Sequence, residues 1–170
     1  MERVLLDRLY VLGLRINHSV NYPEFYTLVV DEEYENIVTA DGSVLFVSEV
    51  SKINLIFDFL DAERKAKYAL PIEMEETIDL AGALFRLENE EEDENAIVLE
   101  CLNTTFDLLK AINVEISENM RKSLYALADH LTFSTDLAEY FDHSEVDRGE
   151  IIDGLMWCFG KILSRTKILK

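Results

Sequence analysis

Apolar residues recur at two different periods along this chain, and the change falls near Pro71. Before Pro71 the spacing is mostly two. Tyr10, Leu12, Leu14 and Ile16 share one side of an extended segment, as a half-buried strand requires. Leu5, Leu9 and Leu12 also fit helical spacing, so residues 4–12 admit a helix; the reading taken here is a strand from about residue 8. Phe25 to Val30 is aromatic and β-branched after Pro23, and it reads as a second strand. Ile37–Ala40 and Ser43–Val47 flank Asp41-Gly42, a dipeptide that tolerates positive φ and marks a hairpin. The pattern predicts an antiparallel meander of three to four strands.

Val50, Ile53, Ile56, Phe57 and Leu60 then fall on one helical face. Ser48 or Ser51 can cap that helix, which is expected to run to about Lys67 and cover one face of the sheet. Beyond Pro71 the period stays helical. Ile78, Ala81, Leu84 and Phe85 mark one helix. Val98, Cys101, Leu102, Thr105, Leu109 and Ile112 mark a longer one. Met120, Leu124, Leu127 and Leu131 mark a third, with Ser117 as its cap. Leu137, Tyr140 and Phe141 mark a short fourth. A last helix is expected from Ser144, where Ser144-Glu145-Val146-Asp147 has capping-box spacing. Ile152, Leu155, Met156, Phe159, Ile162 and Leu163, widened by Trp157 and Cys158, predict that it is deeply buried, with Lys161, Arg165, Lys167 and Lys170 at its C-terminal end, where cations complement the helix dipole. The fold class is therefore α+β: one domain over 1–170, β-rich with one helix over 1–70, and a bundle of four to five helices over 71–170.

Charge sharpens this division. The formal net charge of −18 comes from 34 acids and 16 bases, but 22 acids and only 5 bases lie in residues 71–153. Residues 154–170 hold four bases and no acid. Such a chain repels phosphate backbones and anionic lipid surfaces, so neither nucleic acid nor membrane is an expected partner. A basic protein is the expected partner, and it would be captured faster. No run approaches the roughly 18 apolar residues of a membrane span, and the charged N-terminus does not read as a secretory signal. With two cysteines on apolar helix faces, a cytoplasmic location is expected.

The chemistry of catalysis leaves little trace. The six glycines form neither GxGxxG nor GxxxxGK[ST], and CxxC, HExxH and GxSxG are absent. Glu139 and His143 have the four-residue spacing of helical metal ligands, in a region so rich in carboxylates that chance spacing explains it. Cys101 and Cys158 read as inert core thiols. No catalytic, cofactor or metal residue is assigned, and the chain is not expected to be an enzyme. The candidate partner-binding residues are Glu88, Glu90, Glu91, Glu92, Asp93 and Glu94 in the acidic connector, with Asp136, Glu139 and Asp142 beyond it. The expected function is an acidic, soluble protein-binding module, in its most concrete form an immunity or inhibitor protein against a basic toxin or nuclease. The alternative is a structural or adaptor protein, homo-oligomeric in one version, whose acids serve solubility alone. Tyr22, Phe25, Tyr34, Tyr68, Tyr125 and Tyr140 are its candidate contact anchors.

Overall fold

The computed structural model describes residues 7–89, 96–134 and 136–170. Five strands come early: β1 (Arg8–Arg15), β2 (Phe25–Asp31), β3 (Glu35–Ile37), β4 (Thr39–Ala40) and β5 (Ser43–Val47). Their pairings are antiparallel: β1 with β2, β2 with β3, β4 with β5, and β2 with β5 at Tyr26 and Val47. Residues 8–12 are thus strand, not helix. Asp41 and Gly42 take φ of 52° and 76°, the two positive values that a tight hairpin turn demands.

Two further strands lie outside the meander that the pattern predicts. β6 (Met74–Asp79) runs parallel to β1, and β7 (Thr166–Leu169) runs parallel to β5. Each pairs with one neighbour, β6 with β1 and β7 with β5. Ile78, read above as the start of a helix, is a strand residue. Lys167 lies on β7, not on a helix end. β6 carries Glu75 and Glu76, yet it holds its place through Arg8. That guanidinium contacts Asp31 at 2.9 Å and Glu75 and Glu76 at 3.0 Å each, and it lies 4.3 Å from the Tyr10 ring centroid. One cation thereby joins β1, β2 and β6, and the acids keep the outer strand polar, as exposed edges require.

The expected helix over 50–67 is three pieces: a 3-10 turn at Val50–Lys52, α1 (Asn54–Phe57) and α2 (Ala62–Lys67). Neither Ser48 nor Ser51 caps it; Asp61 restarts the helix by accepting the Arg64 N–H at 2.8 Å. The break lets Leu60 turn in beside Ile53 and Ile56. The remaining helices are α3 (Leu80–Glu88), α4 (Ala96–Ala111), α5 (Glu118–Phe133), α6 (Leu137–His143) and α7 (Arg148–Ser164). Ser117 caps α5 as expected, accepting from the Met120 N–H. The cap of α7 is Asp147, three residues later than expected, and it accepts the Glu150 N–H at 2.8 Å. Ser144 instead closes α6 and accepts from Val146.

Strand alternation divides the core in two. Tyr10, Leu12, Leu14, Val29, Val44, Phe46 and Ile78 face helices α3 to α7. Leu9, Val11, Leu28, Val30, Leu45 and Val47 face Ile53, Ile56 and Leu60. The molecule is α+β, with a sheet covered on one face by the helical layer and on the other by the short helices. Burying both faces explains why β2 and β5 read as near-continuous apolar runs.

Candidate functional site

The ionic contacts are distributed unevenly. In the N-terminal half four bases are engaged with neighbouring acids: Arg8 as above, Arg15 with Asp79 at 2.7 Å, Arg64 with Glu32 and Asp61, and Lys67 with Asp7. From the end of α5 to the second turn of α7 the situation reverses. Asp129, Asp136, Glu139, Asp142, Glu145, Asp147, Glu150 and Asp153 are all exposed. None makes an ion pair with a described residue, and Arg148 is the one base among residues 129–153.

Local structure explains half of these acids. Asp136 and Asp147 cap α6 and α7, and Glu139 and Glu150 stand in the first turns, where negative charge complements the helix dipole. Asp129, Asp142, Glu145 and Asp153 have no such task. Asp142 is the penultimate residue of α6, at the negative end of that helix, where a carboxylate is disfavoured by roughly 0.3–1 kcal/mol.

Arg148 assembles this end of the molecule. Its Nη1 donates to the Leu87 carbonyl at 2.9 Å, and its guanidinium carbon lies 4.6 Å from the Phe141 ring centroid. The last turn of α3, which bears exposed Glu88, is thereby held beside α6 and the start of α7. His130 fixes the α5–α6 corner: its Nε2 donates to the Asp136 carbonyl at 2.9 Å, and its ring packs against Tyr140. Of the candidate binding residues, Glu88, Asp136, Glu139 and Asp142 therefore share one end of the helical layer. Glu90, Glu91, Glu92, Asp93 and Glu94 lie outside the described residues.

Other candidate chemistry is dispersed. Cys101 and Cys158 are buried and free, and burial pushes their thiols up to about 12 and about 11. Among the described residues no group of three or more His, Cys, Asp or Glu is placed to hold a metal ion. No helix among them is long and apolar enough to cross a membrane. Of the aromatic anchors, Tyr22, Tyr34 and Tyr125 are exposed, whereas Phe25 packs edge-on against Phe46 and Tyr68 donates to Glu32 at 2.9 Å.

A second feature escapes sequence reasoning. A groove of about 830 Å³ opens between the end of α4 and the start of α5. Phe106 and Tyr125 stack there with centroids 4.3 Å apart, and Arg121 lies 5.4 Å from the Tyr125 ring. A neighbouring hollow of about 580 Å³ shares Asp107, Lys110 and Asn113 with it and reaches Glu35. Its one sequence signal is Phe106, an aromatic off the apolar stripe of α4. Burial holds Asp107 above the ordinary carboxylate range, and burial together with the Asp107 charge does the same to Glu35. Glu32 and Asp61 are held below it, chiefly by hydrogen bonds from the Arg64 side chain and backbone N–H respectively.

These shifts have opposite consequences for stability. A carboxyl raised on folding contributes stability at low pH that is lost as pH rises through its folded value; a depressed one contributes stability that is lost on acidification. On acidification from neutrality the urea midpoint is therefore expected to rise as Asp107 and Glu35 take up protons, and then to fall as Glu32 and Asp61 are protonated. Asp107→Asn should flatten the rise. A wild-type midpoint that falls steadily from neutrality, or a rise of the same size in the variant, would contradict the assignment.

Comparison of the chain with family models, with curated proteins and with solved structures yields no match, and function is therefore read from the molecule's own geometry.

Proposed function

We propose that this chain is a protein-binding module whose acidic end, built from the last turn of α3, α6 and the start of α7, receives a basic partner. The observation that carries the reading is the set Asp129, Asp142 and Glu145. These carboxylates are exposed, have no ion pair with a described residue and cap no helix. Charges that serve no contact within the chain are the ones a partner can use. Concentrated negative potential speeds capture of a cationic protein and repels nucleic acid. In the concrete form of the proposal, the module is an immunity or inhibitor protein. Its acidic end then occupies the nucleic-acid groove of a basic toxin or nuclease.

The test compares the wild type with the variant Asp129→Asn/Asp142→Asn/Glu145→Gln as bait in extracts of the source cell. The variant should be more stable, by roughly 0.3–1 kcal/mol, because the carboxylate disfavoured at the C-terminal end of α6 is removed. It should also lose a Lys/Arg-rich protein that the wild type retains. With that partner purified, the association rate should drop steeply between about 50 and about 500 mM salt. If the partner is a nuclease, its activity should vanish at a one-to-one ratio. The proposal fails if both baits retain the same proteins, or if the partner is not basic and associates at a salt-independent rate.

A further inference from the structure

The outward arc of α7 carries large apolar residues among its charges. Met156, Trp157 and Leu163 are 49%, 37% and 46% exposed. Gly160 lies between them, and a Cβ built on it meets nothing within 4 Å. This departs from the deeply buried helix that the sequence pattern predicts: Ile151, Leu155, Cys158, Phe159 and Ile162 are buried, and the opposite arc is bare. Large exposed residues aligned along one helix are a mark of an interaction surface.

The charges beside this arc say what covers it. Asp153 and Lys161 are both exposed, and neither makes an ion pair with a described residue; Lys161 instead lies 5.3 Å from the Trp157 ring centroid. They stand four residues before and four residues after Trp157, so all three share the outward face. When two copies of one helix pack antiparallel about a two-fold axis, residues at equal distances from the axis face one another across it. An axis through Trp157 places each Asp153 opposite the other copy's Lys161, brings the two indoles together, and lets the helices approach at Gly160. The arc is thus complementary in charge to itself, turned through 180°.

We infer that the outward face of α7 is the contact surface of a homodimer, with a second copy of this chain as its occupant and Trp157 at its two-fold axis. One helix face is smaller than a standard interface, so the association is a weak one. This inference does not rest on Asp129, Asp142 or Glu145, the carboxylates that carry the proposed function.

Sedimentation velocity of the whole chain from about 1 to about 500 μM, in physiological salt, tests it. The wild type should pass from monomer to dimer. Asp153→Lys places like charges across the axis, as does Lys161→Asp, and each should weaken the dimer roughly tenfold. Mixing the two single variants should restore association as a heterodimer, since each then offers the charge the other lacks. A wild type that is monomeric throughout, single variants that dimerise as well as the wild type, or a mixture no tighter than its components would each overturn the inference.

Discussion

Phe46→Ala is expected to lower the unfolding free energy by about 3–5 kcal/mol, a large part of the roughly 5–15 kcal/mol available to a domain. Phe46 is 1% exposed on β5 and faces the helical layer, with the Phe25 ring edge-on at 6.1 Å. β5 is also the strand to which β2, β4 and β7 attach, so a cavity there loosens the junction of sheet and helices from within. The wall is built from strand backbones and paired helices, which collapse poorly into a void. Urea unfolding with an unchanged m-value would show the loss as a shift in midpoint alone. Phe133→Ala is the control: Phe133 is 91% exposed, and its removal should be nearly neutral. A loss below about 1 kcal/mol at Phe46 would mean that this seam is not where cohesion is concentrated.

Gly13→Val should follow, at about 1–3 kcal/mol, through overpacking rather than a void. Gly13 sits in β1, and a Cβ placed on it would come within 2.5 Å of Met74 Sδ and 2.7 Å of Pro23 Cγ. The thioether can swing aside. The proline cannot, because the next residue donates its N–H to the Leu14 carbonyl and Tyr26 donates its hydroxyl to the Pro23 carbonyl. Met74 opens β6, so displacing it should also loosen that strand. Amide exchange over residues 74–79 should accelerate more than over β2. Uniform acceleration, or none, would show that Gly13 is not a spacing residue.

The two variants also mark what the sequence makes legible. β5 is apolar at almost every position because both its faces are covered, and the Asp41-Gly42 turn fixes its pairing with β4. Short-range signals therefore place the meander. β6 and β7 carry too little of that signal. Within β6 only Ile78 is buried, while Glu75 and Glu76 answer to Arg8, which lies 67 and 68 residues earlier. Parallel pairing leaves no hairpin in the chain to announce it. The helices were legible by period, and Ser117 by its hydroxyl. The break between α1 and α2 was not, because Leu60 keeps helical spacing even though the chain turns before Asp61. At the acidic end, composition marked Asp136, Glu139 and Asp142. It did not mark Arg148, whose reach to the Leu87 carbonyl brings Glu88 to the same end. That bond spans 61 residues, beyond any local pattern.

The strand β7 has a consequence in time. Between β5 and β7 the chain passes through every helix, yet Val44 donates to the Arg165 carbonyl at 2.9 Å, and Arg165 Nη1 donates to the Ile112 carbonyl at the end of α4. The last strand thus fastens a sheet whose first five strands were synthesised more than a hundred residues earlier. Contacts of such long sequence separation close slowly, because the entropy of the intervening loop is lost before they form. Until then the outer side of β5 stays open, with its backbone groups available to any passing strand. The unfinished sheet, rather than the completed one, is the state in which this chain is most exposed to misassembly.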